Sequence, residues 1–350
     1  MAALTPEKTA GIVTGMCNPL LDISAVVPAA ILEKYGVKAG DAVLAEDKHQ
    51  PVYAELVKDY KVDYIAGGAG QNSIRVAQWM LNACGKPNST AYFGCVGNDE
   101  YAAQMKAQAA GDGVNVQYMT TEEAATGTCA VLVTADGERS LIANLAAANL
   151  FKVAHLEAEA SKAVIDSSSI FYITGFFLTV SCESIDLVGK HCVAEGKTLC
   201  MNLSAPFLVQ FFGDQMMAAM PYVDIMFGNE TEAAAMGEKM GWGTDIATIA
   251  KNIATLPKAS GLKCRTVVIT QGSTATVVVE NGVATSHAVE PLAKELLVDT
   301  NGAGDAFVGG FLAQLAQGKS TADCVAAGHW AARVIIQRSG CSYPETCDYK

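Results

Sequence analysis

Short runs of β-branched and aromatic residues alternate with longer stretches of helical periodicity along most of the 350-residue chain. Residues 12–16, 90–96, 170–174, 198–202, 224–228 and 266–270 read as strands that are apolar at most positions. Between them, residues 71–83, 99–110, 182–194 and 231–240 have helical patterning. Continuously apolar strands separated by helices predict an α/β fold: a large, doubly wound, mostly parallel sheet with helices on both faces. Two segments break the rhythm. Residues 21–66 and 116–143 hold short alternating runs at 23–27, 42–45 and 129–134, which read as antiparallel pieces paired away from the main sheet. Together they predict a small β-rich lid, leaving 1–20, 67–115 and 144–350 to the large domain. Gly67-Gly68, where the chain returns from the first insertion, is the expected hinge. The plainer alternative is that these strands extend the main sheet.

Composition narrows the function classes. With 51% hydrophobic and 17% charged residues the chain can bury a large core, which argues against wholesale disorder. A net charge of −12 argues against broad nucleic-acid binding and against adhesion to anionic membranes. It leaves nucleotide binding open, because backbone N–H groups at a helix start can hold a phosphate. The eleven cysteines are scattered, odd in number and without a Cys-x-x-Cys, as expected in a reducing compartment. Residues 1–11 lack the apolar stretch of a signal peptide, and the run 170–180 is too short to span a bilayer. The expectation is a cytoplasmic monomer.

The densest chemical signal is residues 299–311, DTNGAGDAFVGGF, which follow a β-type run at 296–298 and open a helical pattern. Gly302, Ala303 and Gly304 leave backbone donors accessible at a helix N-terminus, a place that favours an anion. Asp305 follows in the first turn. There it reads either as a base accepting a proton from an attacking hydroxyl or as an ordinary helix cap. A conventional P-loop is absent: Ala313 and His191 stand where its first glycine is required before Gly318-Lys319-Ser320 and Gly196-Lys197-Thr198. Asp22, in the run NPLLDI at 18–23, follows an apolar strand and suits a vicinal diol. The loop GGAGQN at 67–72 offers backbone donors and the Asn72 amide to sugar hydroxyls. Each of these is, taken alone, more often structural. Arg139 stands where cations are sparse and reads as a phosphate-bridging fork or as an ion-pair partner of Asp136 or Glu138. Asn229 and Glu232 could hold the water shell of Mg²⁺ or simply cap a helix.

Taken together, these pieces resemble the adenosine kinases, within the ribokinase-like sugar kinases, from about Val13 to Tyr343. The motif at 299–311 and the pair Asn229/Glu232 are similar to elements of the whole ribokinase-like family. The stretches 18–23, 143–149 within RSLIANLAAAN at 139–149, GFFLTVS at 175–181 and NLSAPF at 202–207 look specific to adenosine kinases. The resemblance implies a ribokinase-like fold and transfer of the ATP γ-phosphoryl group to the 5′-hydroxyl of adenosine. It implies that Asp22, Gly68 and Asn72, with Asn18 beside them, hold the ribose. Leu20, Leu44, Cys129, Leu141, Ala143 and Phe176 would enclose the adenine. Arg139 would support the phosphates, Gly302, Ala303, Gly304 and Asp305 would carry the chemistry, and Asn229, Asn301 and His329 would lie near ATP. Mg²⁺, through water on Asn229 and Glu232, and activation by K⁺ are also implied; the ligands of K⁺ are not identifiable in the sequence. Two positions depart from the family's usual residues: Cys17 stands for a glycine and Gly70 for a threonine. The competing readings are a kinase of another nucleoside or sugar, and a non-catalytic nucleoside-binding regulator.

Overall fold

The computed structural model describes residues 13–134, 139–259 and 264–349. Among them the strands are β1 (Val13–Met16), β2 (Leu20–Val26), β3 (Ala42–Leu44), β4 (Val62–Gly67), β5 (Thr90–Gly97), β6 (Val114–Thr121) and β7 (Thr128–Val133). There follow β8 (Arg139–Asn144), β9 (Ile170–Thr174), β10 (Thr198–Asn202), β11 (Ile225–Asn229), β12 (Thr266–Gln271), β13 (Thr274–Glu280) and β14 (Val283–His287).

Nine strands form the large sheet in the order β14-β13-β12-β11-β10-β9-β1-β5-β6. All neighbours from β12 to β6 run parallel. The central strands are buried along their whole length, as in β1, β5 and β9, which is why they read as continuous apolar runs. At the opposite edge β13 and β14 fold back antiparallel. Their turn is Asn281-Gly282, with φ of 52° and 78°, the two left-handed residues that a tight hairpin prefers.

A second sheet has the order β3-β8-β7-β2-β4. Helices α1 (Ala29–Tyr35) and α2 (Pro51–Asp59) pack with one of its faces through Ile23, Ala25, Ala130, Leu132 and Ile142. The alternate positions Leu20, Cys129, Val131, Leu141 and Ala143 form a separate apolar cluster on its other face.

The sequence expectation needs three corrections. The small sheet is mixed and not antiparallel throughout: β2 runs parallel to β7 and β3 to β8, while β2–β4 and β7–β8 are antiparallel. Residues 116–143 do not act as one insertion. β6 pairs in parallel with β5 from Thr90↔Val114 to Gly97↔Thr121 and closes the large sheet, so the small sheet resumes only at β7. An edge strand is half-exposed and alternates as an antiparallel strand does, as buried Val114 beside exposed Asn115 illustrates. Residues 296–298 are not a strand either. A 3-10 turn at Lys294–Leu296 leads into irregular chain with exposed side chains, and the N–H groups of Val298 and Asp299 both donate to the Ile336 carbonyl. Ile12, expected to open β1, lies outside the described residues. None of the described helices is long and apolar enough to cross a membrane.

Candidate active site

Two helix starts meet beneath the small sheet. Helix α3 (Ala69–Ala83) begins at Gly68, whose φ of +89° and contact with the Asn18 carbonyl exclude any side chain. The helix Ala303–Leu315 begins at Gly302, also left-handed, with φ of +78°. The two helices approach closely because Gly309 lies against the Ser73 carbonyl and Val76, where a Cβ would stand 2.7 Å from either. Their first turns are thereby joined: Asn72 Nδ2 donates to Asp305 Oδ2 at 3.0 Å.

At the glycine-rich turn before the helix Ala303–Leu315, the Ala303 N–H donates to the Thr300 carbonyl at 3.2 Å. Gly304 is exposed, with open space where a Cβ would be. As second and third residues of the helix, Gly304 and Asp305 present N–H groups that the helix itself cannot satisfy. Burial pushes the Asp305 carboxyl up to about 6, against the opposing hydrogen bond from Asn72. Two amide oxygens nearby, Asn18 Oδ1 and Asn72 Oδ1, are buried without a hydrogen-bond partner.

The small sheet contributes a row. Strand register sets Ile65 opposite Asp22, Asp22 opposite Cys129, Cys129 opposite Ala143, and Ala143 opposite Leu44. Register partners share a face, so five residues from five strands become one line. Leu20 and Leu141, two positions along their strands, lie on that face too. Leu44, at the sheet edge, is 48% exposed. Burial pushes the Asp22 carboxyl up to about 7, with the charge of Asp305 adding to the rise and Arg75 and Arg139 opposing it.

Arg139, at the start of β8, is almost wholly buried. Its Nε lies 3.0 Å from Asp299 Oδ2, and its Nη2 donates to Ser339 Oγ. Asp299 also accepts from the N–H groups of Asn301 and Gly340, each at 2.9 Å. Arg139 thus joins the small sheet to the edge of the glycine-rich turn. Asp136 and Glu138, the neighbours considered as partners from sequence, lie outside the described residues.

Phe176 sits in the 3-10 turn Gly175–Thr179 that follows β9, its ring 6.3 Å from that of Phe207. Asn229 and Glu232 form a complete capping box at the helix Glu230–Met240. Asn229 N–H and Nδ2 donate to the two Glu232 oxygens at 2.9 and 3.0 Å, and the Glu232 N–H returns a bond to Asn229 Oδ1. Burial pushes Glu232 up to about 7, and Asp305 is among the charges that it feels. His329 lies farther out, its Nε2 sharing a 2.8 Å hydrogen bond with Thr276 Oγ1 of β13.

The match to known proteins agrees with this arrangement. Residues 30–347 fit the model of the pfkB family carbohydrate kinases. The chain belongs to that family. Among its pfkB relatives, adenosine kinase 2 of Arabidopsis thaliana is 54% identical over 340 residues, covering 97% of each chain. The crystal structure of Anopheles gambiae adenosine kinase in complex with P1,P4-di(adenosine-5) tetraphosphate superposes with a TM-score of 0.90. It is 50% identical and is aligned over 96% of this chain and 99% of that one. Adenosine kinase from Schistosoma mansoni in complex with 2-fluoroadenosine gives 0.89 at 36% identity, over 96% and 98% of the two chains.

Cys17 and Gly70, singled out in the sequence, prove to be neighbours. A Cβ at Gly70 would stand 2.7 Å from the Cys17 Cβ, so the cysteine fills the space that a side chain at position 70 needs. The Cys17 thiol lies 2.5 Å from Thr174 Oγ1, anchoring it beneath the start of α3. The sequence reading missed Asp299 as a side chain with partners of its own, although it opens the densest motif. It also missed Cys341, whose Cβ is 3.2 Å from the place of a Gly302 Cβ. No motif around Cys341 marks it.

Proposed function

We propose that this chain is a cytoplasmic adenosine kinase, acting as a monomer, that transfers the γ-phosphoryl group of ATP to the 5′-hydroxyl of adenosine. The observation that carries the reading is the facing of two unlike surfaces. One is a pair of helix starts, the Asp305 carboxylate held by the Asn72 amide; the other is a single sheet row in which Asp22, within reach of the Asp305 charge, is followed by apolar Cys129, Ala143 and Leu44. A nucleoside has that polarity, a hydroxyl-rich ribose joined to a flat apolar base. A free sugar would leave the apolar part of the row without a partner.

In this reading Asp22 accepts the ribose diol, and the unpartnered oxygens of Asn18 and Asn72 suit further hydroxyl donors. Gly68 lets the chain approach the sugar closely. Leu20, Leu44, Cys129, Leu141, Ala143 and Phe176 enclose adenine. Asp305 takes the 5′-hydroxyl proton as that oxygen bonds to the γ-phosphorus, and ADP leaves with the electrons of the broken P–O bond. The backbone donors at residues 302–304, the Ala303 N–H on release from the Thr300 carbonyl, and Arg139 stabilise the charge on the moving phosphoryl group. For Arg139 this requires exchange of Asp299 for phosphate. Asn301, Asn229 and His329 line the ATP side.

Mg²⁺ fits the Asn229–Glu232 pair as an ion held through water. The Glu232 carboxylate accepts from Asn229 and from the Ser204 backbone, and its remaining lone-pair capacity suits a water ligand. The ion would supply neutralisation of phosphate charge. K⁺ enters as an activator.

A coupled ADP-release assay across adenosine, guanosine, inosine, ribose and fructose tests the substrate. Adenosine is expected to give the highest kcat/KM. Faster turnover with a free sugar would contradict the reading.

A further inference from the structure

The side chain of Arg75 is buried, yet the proposed chemistry does not use it. It sits one turn after Asn72 on α3 and binds three parts of the molecule at once. Its Nη1 donates to the Ala66 carbonyl at 2.7 Å. Its Nε donates to Asp112 Oδ2 at 2.6 Å, just past α4 (Glu100–Gly111). Its guanidinium lies 5.6 Å from the centre of the Tyr343 ring.

Ala66 is the penultimate residue of β4, at the point where the small sheet hands the chain to Gly67-Gly68. Both of its backbone groups are held from the large domain, the carbonyl by Arg75 and the N–H by Gln108 Oε1 of α4. The next carbonyl, that of Gly67, accepts from Gln71 Nε2 at 3.1 Å. In the sheet Ala66 stands opposite Leu21, and Gly67 lies against the Asp22 carboxyl, which leaves no room for a Cβ. A shift of Ala66 therefore displaces Asp22. On the other side, Tyr343 stacks on Trp79 with centroids 5.0 Å apart and fixes the segment that carries Gly340 and Cys341 to Asp299 and Gly302.

We infer that Arg75 is a positioning residue: it pins the pivot of the small sheet at Ala66 and thereby sets where Asp22 stands relative to Asn72 and Asp305. The inference rests on the reading of Asp22 as the ribose acceptor. Its physical basis is that a buried guanidinium with fixed donors holds geometry as well as charge, and that a catalytic group displaced by an ångström loses much of its effect.

The test compares wild type, Arg75→Met, Gln108→Ala and Asp112→Asn, with adenosine and 2′,3′-dideoxyadenosine as acceptors. Arg75→Met is expected to lower kcat/KM for adenosine about tenfold or more, the scale of a lost hydrogen bond to a charged donor. The loss should fall mostly on the nucleoside KM and shrink the preference for adenosine over the dideoxy analogue. Gln108→Ala, which frees the other side of Ala66, should shift the same preference less, and serves if Arg75→Met does not fold. Asp112→Asn keeps the bond to Ala66 and should keep the preference within about twofold of wild type, as expected of a change away from the pivot. A lower melting temperature with unchanged acceptor preference in both Arg75→Met and Gln108→Ala would overturn the inference. So would Asp112→Asn losing as much preference as Arg75→Met. Wild type failing to phosphorylate adenosine would instead overturn the functional reading itself.

Discussion

Residues with unlike neighbours at the site carry unlike chemistry. Asp305 and Asp22 are both carboxylates raised by burial, to about 6 and about 7, and the second also by the charge of the first. In the proposed mechanism each must be ionised to act, Asp305 as base and Asp22 as acceptor of two hydroxyl protons. The free-enzyme profile of kcat/KM should therefore fall on the acid side with two protonations near pH 6–7, and Asp22→Asn should leave one. A single-proton limb in wild type would contradict the pairing. Stability runs the other way. A carboxyl with its pKa raised in the folded state favours folding below the unfolded pKa, and that contribution is lost as pH rises through the folded value. Asp305→Asn and Asp22→Asn should accordingly be more stable than wild type at pH 8, measured by thermal melting, and this advantage should shrink toward pH 4. Much of the proposed catalytic set could be grouped from sequence because Gly302, Gly304 and Asp305 are contiguous at one helix start. The partner of Arg139 was not: Asp299 is remote in sequence and meets it only through the fold.

Elements were legible in proportion to how fully they are buried. β9 and β10 are buried on both sides, and their limits, 170–174 and 198–202, agree with the sequence reading. β6 is an edge strand whose alternation resembles that of the small sheet, and it was assigned there. β13 and β14 passed unnoticed although Asn281-Gly282 between alternating runs is a strong hairpin signal. Arg265, just before β12, was equally silent. It is fully buried, and its guanidinium donates to the carbonyls of Met220, Val223, Ile253, Leu256 and Pro257. These close the end of the helix Ile246–Thr255 and the turn before β11. Arg265→Met should leave several acceptors unsatisfied and cost about 3 kcal/mol or more in denaturant unfolding. The nucleoside KM of the folded fraction should not change, because none of these carbonyls approaches the proposed site. A cost below about 1 kcal/mol would mean that water replaces the arginine there.

For the molecule as a whole, the proposal is a small sheet that closes over the nucleoside as a lid. The row from Asp22 to Leu44 lies in that sheet, while Asp305 and Gly302–Gly304 belong to the large domain. Adenosine contacts both and so gains on closure, whereas ATP alone gains less; a ligand shifts an equilibrium only by its differential affinity. Hydrogen exchange should show β2, β4, β7 and β8 gaining protection together on adding adenosine, with β12 nearly unchanged. Protection confined to residues 302–310 would contradict the lid. That two insertions form one sheet was foreseeable from their alternation; that only residues after about 127 belong to the second insertion required the β5–β6 pairing.

The central claim is phosphoryl transfer to adenosine with Asp305 as base, and product stoichiometry tests it most directly. Purified wild type and Asp305→Asn would each be incubated with ATP, Mg²⁺ and adenosine, and AMP and ADP quantified by chromatography. The account predicts one AMP for each ADP in wild type. In Asp305→Asn it predicts a fall in kcat of roughly 10²–10⁴-fold, the usual worth of general-base help, with adenosine binding by calorimetry little changed. ADP formed without AMP in wild type, or Asp305→Asn retaining more than about a tenth of wild-type turnover, would contradict it.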